Sequence, residues 1–188
     1  MPISVDLTQL PTLTTEHLRL VPLGPEHFEG TWAMLQEPEG MRLTGTHATF
    51  SPDAVRGGLQ SLALNPDRAD WAITLAETGD HLGEVVLNQL DQDNASMNFR
   101  IVLRHPTVFG RGYGTEATRA VVDHGLDGFG LHRIQLEVFS FNPRARRVYE
   151  KSGFVAEGSR RDALHWDGQW VDAVTMAILS TDPRPWRA

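Results

Sequence analysis

Glycines occupy every second position in the segment FGRGYGTE, which spans residues 109–116. Because glycine has no Cβ, the backbone N–H groups of such a loop can approach a ligand closely. The loop follows an apolar strand pattern at residues 99–103 and precedes a helical pattern at residues 116–129. The N-terminus of a helix attracts anions. A strand, a glycine loop and a helix in this order therefore predict a site for a phosphate-bearing ligand.

Two common nucleotide-binding motifs do not fit this loop. A P-loop has the pattern GxxxxGK[ST], and no lysine follows these glycines. The dinucleotide fingerprint GxGxxG requires the third glycine one residue later, and it belongs to a parallel βαβ unit. Antiparallel strands are predicted before the loop instead. The loop alone predicts an anion site and leaves the ligand open.

The elements that position the loop follow from apolar periodicity, helix caps and turn residues. Ser51 and Asn142 are N-cap residues followed by proline, and Asp167-Gly168 is a hairpin turn. Strands are predicted at residues 17–21, 71–75, 83–87, 97–103, 134–138, from 154 and at 171–178, and helices at 25–35, 51–64, 116–129 and 142–152. This order predicts a mixed α/β (α+β) fold around one sheet, mostly antiparallel and flanked by helices. We expect one domain over residues 1–188, with a core at about 15–180.

Composition limits the classes of function. Cysteine is absent, which excludes disulfides and thiolate nucleophiles, and the histidines lack metal-ligand spacing, so no metal site is predicted. No apolar run is long enough to span a membrane and no signal peptide is recognisable, so we expect a soluble, cytoplasmic protein. The net charge of −7 argues against general nucleic-acid binding. Residues 100–161 nevertheless hold 11 basic and 6 acidic residues, so the glycine loop lies in a basic part of the chain.

Two motifs in the second half of the chain resemble a known family. RGYGTEA at residues 111–117 and NPRARRVYEKSGF at 142–154, with the strand LEV between them, resemble the GCN5-related N-acetyltransferase (GNAT) superfamily. The subgroup that acetylates the N-terminal alanine or serine of ribosomal proteins is the most similar, and WDGQWVD at 166–172 resembles it too. The resemblance implies the GNAT fold and transfer of an acetyl group from acetyl-CoA to a primary amine.

The resemblance also implies which residues bind acetyl-CoA. The loop amides would hold the pyrophosphate, and the strand before the loop would pair with the pantetheine arm. One of Arg144, Arg146 and Arg147 would reach the 3′-phosphate. The helix that begins at residue 142 would lie along the cofactor. The implied cofactor-binding residues are Ile101, Val102, Leu103, Gly110, Arg111, Gly112, Tyr113, Gly114, Thr115, Asn142 and Arg147. Phe109 departs from the family pattern, which usually has Gln or Arg at that position.

Acetyl transfer requires a group that accepts the amine proton and a group that protonates the leaving thiolate. By resemblance, Glu137 is the candidate general base, and the alternative is a strand carboxylate paired with an arginine. Tyr149 matches the thiol-protonating tyrosine of the family, and the alternative is an aromatic residue of the core. Asp172 is a weaker candidate partner for the incoming amine. His105 and His132 are weaker candidates for the lining of a substrate cleft.

The acceptor is left open by the residues. The subgroup points to a protein or peptide N-terminal α-amine, and the acidic N-terminal half of the chain would attract a basic peptide. A small-molecule amine, a larger acyl donor such as succinyl-CoA and a non-catalytic CoA-binding module of the same fold are the alternatives. A homodimer is a further prediction.

Overall fold

The computed structural model describes residues 3–104 and 108–187; His105 lies outside the described residues. The described part contains the strands β1 (Leu13–Thr14), β2 (Leu18–Pro22), β3 (Arg68–Leu75), β4 (His81–Asp91), β5 (Ser96–Leu103), β6 (Arg133–Phe139), β7 (Val155–Trp166) and β8 (Gln169–Leu179). They form one eight-stranded sheet in the order β1-β2-β3-β4-β5-β6-β8-β7. The predicted mixed α/β fold with a mostly antiparallel sheet is confirmed.

Helices cover both faces of this sheet. They are α1 (Phe28–Leu35), α2 (Pro38–Leu43), α3 (Pro52–Leu62), α4 (Tyr113–Asp123) and α5 (Pro143–Lys151). The two predicted N-caps are present, because Ser51 Oγ accepts the Ala54 N–H at 3.2 Å and Asn142 Oδ1 accepts the Ala145 N–H at 3.1 Å. The short α2 and β1 were not predicted, since they hold too few residues for a periodic pattern.

Helix α4 begins three residues earlier than predicted and continues as a π-helical turn over His124–Gly128. Both of its ends are anchored. At the N-terminus, Glu116 Oε1 accepts the Thr15 hydroxyl at 2.5 Å and the His17 N–H at 2.8 Å. At the other end, Arg184 Nη1 donates to Asp123 Oδ1 at 2.9 Å. The first contacts fix the start of the helix against the β1–β2 end of the sheet, and the last joins its end to the segment after β8.

Strands β5 and β6 are the parallel pair of an otherwise antiparallel sheet. Their register has only three pairs, which run from Ser96–Arg133 to Asn98–Gln135. Beyond that point the two strands separate, while β5 stays paired with β4 as far as Leu103–Gly83. The separation opens the centre of the sheet and leaves one edge of β5 free to bond an extended ligand.

Side chains that alternate along β5 reach opposite faces of the sheet. Leu103 lies close to α4 and α5, because a Cβ at Gly114 would be 3.7 Å from its Cδ1. Phe99 packs its ring against Tyr149 of α5. Val102 lies opposite Glu84, which accepts a hydrogen bond from Thr31 of α1, so Val102 faces α1. Helices α4 and α5 therefore cover one face and α1 to α3 the other.

None of the helices in the described ranges has the length and apolar character needed to cross a membrane.

Candidate active site

A cavity of about 760 Å³ lies where β5 and β6 separate. It extends from the glycine loop through the gap between the strands to α2 and β7. The lining contains every residue predicted for cofactor binding or catalysis except Arg111, which is exposed: Ile101, Val102, Leu103, Gly110, Gly112, Tyr113, Gly114, Thr115, Glu137, Asn142, Arg147 and Tyr149. The fold thus brings together residues from a strand, a loop and two later elements.

The glycine loop has the geometry of an anion cradle. Gly110 and Gly112 have left-handed φ angles of +76° and +88°, which favour glycine. A Cβ built at either position would meet no atom within 4 Å, so this side of the loop is open. Gly112 is the N-cap of α4, and the first bond along the helix is that from the Glu116 N–H to its carbonyl, at 3.0 Å. The N–H groups of the first turn have no intrahelical partner and carry the positive end of the helix dipole.

Cations of α5 border the same half of the cavity. Arg144, Arg147 and Lys151 line it. The guanidinium of Arg144 stacks 3.7 Å from the ring centroid of Phe109, the residue that departs from the family pattern. Phe109 thus offers Arg144 an aromatic surface where a polar side chain is usual. Arg146 differs from its neighbours, since it pairs with Glu150 at 2.9 Å outside the cavity.

Asn142 caps the N-terminus of α5 and also lines the cavity. Its Oδ1 is used to cap α5, and its amide hydrogens at Nδ2 are left for other partners. Together with the open glycine loop, the cations of α5 and the free edge of β5, it forms a trough that fits an elongated ligand with phosphates at one end.

Tyr149 belongs both to the core and to the cavity wall. Its side chain is 7% exposed, and its ring makes edge contacts with Phe99 at 6.1 Å and with Phe154 at 5.9 Å between centroids. Burial raises the pKa of Tyr149 to about 12, and the positive charge of Arg100 opposes this rise. The hydroxyl therefore carries its proton at neutral pH and is available as a donor.

Glu137 lines the cavity from β6 and is paired. Its Oε1 lies 2.5 Å from Nη1 of Arg160 on β7, and the two side chains are 39% and 61% exposed. This contact matches the alternative to the base role, in which Glu137 is a strand carboxylate paired with an arginine. The carboxylate nevertheless faces the gap between the strands, with one of its oxygens held by the guanidinium.

Sequence reasoning missed the half of the cavity that faces α2. Arg100 on β5 and Arg160 on β7 line it, and so do Asn98, Gln135 and the α2 end at Gly40, Leu43 and Thr44. The available signal was the alternation of β5, where a charged residue interrupts an apolar run. Because β5 lies in the middle of the sheet, such a residue is unusual there and points to a polar cavity.

The weaker candidates lie elsewhere. Asp172 Oδ1 accepts the Asp162 N–H at 2.9 Å and stabilises an irregular part of β7. The Nδ1 atom of His132 is 3.0 Å from Ser180 Oγ on the surface. Neither residue lines the cavity. Residues 3–104 and 108–187 contain no group of three or more His, Asp or Glu side chains that could hold a metal ion.

Comparison with known proteins adds a family to this geometry. The model of the acetyltransferase (GNAT) domain family matches residues 17–155. The uncharacterized N-acetyltransferase YoaA of Bacillus subtilis is 26% identical, over 90% of this chain and 97% of that protein. The fold is similar to the crystal structure of spermidine N-acetyltransferase from Vibrio cholerae in complex with CoA and spermine. That match has a TM-score of 0.82 at 22% identity and covers 87% of this chain and 96% of that one.

Two other relatives carry names that specify an acceptor. Spermidine N(1)-acetyltransferase of Escherichia coli K12 is 27% identical over 60% of each chain. The putative ribosomal N-acetyltransferase YdaF of Bacillus subtilis is 29% identical over 55% of this chain and 56% of that protein. Because both match over similar fractions of the chain, the ribosomal subgroup inferred from the motifs is not singled out.

Proposed function

We propose that this chain, which belongs to the GNAT acetyltransferase domain family, transfers the acetyl group to a protein or peptide N-terminal α-amine. The chain is an N-acetyltransferase that uses acetyl-CoA. The observation that carries the proposal is the cavity between β5 and β6, which is lined by residues from both faces of the sheet. A cofactor in the trough beside α4 and α5 leaves the α2 side free for an amine. We treat residues 1–188 as one catalytic domain.

We assign the phosphate-binding role to the loop amides at residues 110–115, supported by the left-handed glycines and the free first turn of α4. The 3′-phosphate is assigned to Arg147 together with its neighbours on α5. The free edge of β5 at Ile101–Leu103 is assigned to the amide groups of the pantetheine arm. Acetyl-CoA supplies an acetyl group that is activated as a thioester.

The proton donor and acceptor are proposed on opposite sides of the gap. Tyr149 belongs to the face covered by α5, and its phenolic oxygen holds a proton for the departing thiolate. Glu137 faces the α2 side and accepts the amine proton, directly or through a water molecule. A backbone N–H near Val102 or Leu103 is assigned as the donor to the carbonyl oxygen as negative charge develops on it. This arrangement separates the two proton transfers by the thickness of the sheet.

An N-terminal α-amine needs little help from a base such as Glu137. The pKa of an α-amine is about 7.7–8.0, against about 10.4 for a lysine side chain, so a larger fraction of it is already neutral at pH 7. A neutral amine can attack the thioester without prior deprotonation. The similarity to a protein named as a putative ribosomal N-acetyltransferase supports this class of acceptor. The second candidate is a small-molecule amine, which the names of the spermidine acetyltransferase relatives favour.

An acceptor panel tests the proposal. The purified protein is incubated with acetyl-CoA and one acceptor at a time, and the release of free CoA thiol is followed. The acceptors are peptides that begin with Ser or Ala, spermidine and an aminoglycoside. Mass spectrometry locates the acetyl group, an N-terminally blocked peptide serves as the control, and succinyl-CoA tests the donor. We expect acetylation of the peptide α-nitrogen. A kcat/KM at least tenfold higher for spermidine than for every peptide would overturn the N-terminal assignment.

A further inference from the structure

The α2-facing half of the cavity contains an arginine that the assignments above do not use. Arg100 lies on β5 opposite Val86 of β4, and by alternation it shares a face with Asn98 and Val102. It therefore points away from Phe99 and the core. Its side chain is exposed and lines the cavity on the face of the sheet opposite α4 and α5.

Arg100 differs from the other arginine in this half of the cavity. Arg160 is held by Glu137 at 2.5 Å. No carboxylate in residues 3–104 and 108–187 forms an ion pair with Arg100. Its charge is nevertheless felt inside the cavity, because it opposes the rise in the pKa of Tyr149 that burial causes. The guanidinium is thus a cation at the acceptor end that no carboxylate of the described residues neutralises.

The charges along the cavity are strongly unequal. Five cationic side chains line it, and Glu137 is the one carboxylate among the described lining residues. Three of the cations lie on α5 beside the glycine loop, where the cofactor phosphates are assigned. Arg100 and Arg160 remain at the acceptor end against the single carboxylate. This excess of positive charge opposes a polycation such as spermidine and favours an acceptor that brings its own negative charge.

We propose that Arg100 binds a carboxylate of the acceptor, so that the enzyme acetylates amines that carry a carboxylate a few bonds from the nitrogen. A guanidinium binds a carboxylate through two parallel hydrogen bonds, which orients as well as attracts the molecule. Free α-amino acids and peptides that begin with Asp or Glu share this chemistry. The inference rests on the proposed acetyltransferase activity. Among peptide acceptors it favours those with an acidic first residue, and a free α-amino acid is the corresponding small-molecule acceptor.

Arg100 takes no part in the bond changes of the reaction. The acceptor carboxylate by itself favours the ammonium form of its own amine, and pairing with the guanidinium offsets this effect and so raises the neutral fraction. In the transfer, the N–C bond forms as the C–S bond breaks, the nitrogen gives up one proton and the sulfur gains one. The carboxylate stays ionised throughout, so its contact with Arg100 persists from substrate to product.

Matched acceptors test the inference. One arm compares free α-amino acids with their α-carboxamides, and a second compares amidated tripeptides that begin with Asp or Glu with those that begin with Asn or Gln. We expect the acid to exceed its amide at least tenfold in kcat/KM in one arm, which identifies the source of the carboxylate. Arg100→Met should abolish this ratio mainly through KM, and Arg100→Lys should retain part of it. Arg161→Met, at an exposed position outside the cavity, is the control and should keep the ratio.

A binding measurement gives a readout that does not depend on turnover. Calorimetry with CoA present compares the N-acetylated acid with the N-acetylated amide, and we expect tighter binding of the acid to the wild-type protein but not to Arg100→Met. Equal kcat/KM for the acid and its amide in both arms, or a higher kcat/KM for spermidine, would overturn the inference without contradicting the acetyltransferase activity. Bound CoA with no amine acetylated would count against the proposed function, and calorimetry would still decide the role of Arg100.

Discussion

Arg160 Nη1 lies 2.5 Å from Glu137 Oε1, although their strands β7 and β6 are separated by β8. The ion pair therefore passes over β8, where Thr175 is the partner of Glu137 in the register and also lines the cavity. The orientation of the candidate base is thus set by an arginine of the edge strand. Because both side chains are exposed, the pair contributes little to folding stability, and each partner can be replaced separately.

Glu137→Gln is expected to lower kcat/KM by roughly tenfold or more, in line with the loss of a general base, and most strongly at low pH. Arg160→Gln leaves the carboxylate in place and should have a smaller effect. Steady-state kinetics from pH 6 to 9 measure both variants, and thermal unfolding checks that they fold. Equal losses in the two variants would show that Glu137 acts only through its arginine partner.

Tyr149→Phe is expected to lower kcat roughly 10²-fold with nearly unchanged CoA affinity, because it removes the proton donor and keeps the ring. Tyr113, the other tyrosine of the chain, lines the cofactor side of the cavity, so Tyr113→Phe removes a second cavity hydroxyl and should leave kcat at saturating acetyl-CoA nearly unchanged. Since the pKa of Tyr149 is raised to about 12, kcat should not fall through its ionisation up to about pH 10. If Tyr149→Phe retains the wild-type kcat, the residue is part of the core alone.

Gly112→Asp is expected to weaken CoA binding at least tenfold, about 1.4 kcal/mol, because it places a carboxylate at the N-terminus of α4. Gly112→Ala places a side chain at the same left-handed position without adding a charge, so it should weaken CoA binding less than Gly112→Asp does. Gly79→Asp provides the matched control, since Gly79 has a φ of +78°, has open space around it and lies in the β3–β4 turn. Calorimetry that finds equal affinities for Gly112→Asp and Gly79→Asp would refute the phosphate assignment.

Glu84 is expected to make stability depend on pH. It accepts a hydrogen bond from the Thr31 hydroxyl beneath α1, and burial raises its pKa to about 7 in spite of that bond. The unfolded value is 4.5, so the folded protein holds the proton more tightly. The resulting stability is present below pH 4.5 and is lost as the pH rises through about 7, a change on the order of 3 kcal/mol.

Glu84→Gln remains neutral at every pH. The unfolding free energy of this variant, relative to the wild type, should therefore rise between pH 4.5 and pH 7.5. His81 lies 3.9 Å from Glu84, and burial lowers its pKa to about 4, but it is present in both proteins and its titration largely cancels in the difference. Urea unfolding at three pH values measures the difference. A constant difference across the range would contradict the expected titration.

Local signals predicted most of the fold. The side chains of Ser51 and Asn142 each accept a hydrogen bond from the N–H three residues later in the chain. Because this interaction is local, the sequence predicts both caps directly. The hairpin turn at Asp167-Gly168 has two left-handed residues, as its sequence predicts. The early start of α4 was missed because Gly112 begins the helix as an N-cap in a left-handed conformation, which propensity does not reveal. A cytoplasmic location and a homodimer stay predictions.

The sequence by itself determined the GNAT family, the glycine loop and the candidate cofactor-binding residues, since these depend on short motifs whose geometry is local. Only the tertiary structure decided what faces the acceptor. The separation of β5 from β6 brings Arg100, Glu137 and Arg160 to one cavity from three strands. Contacts between residues far apart in the chain depend on register and on which face each residue occupies, and no local pattern records them.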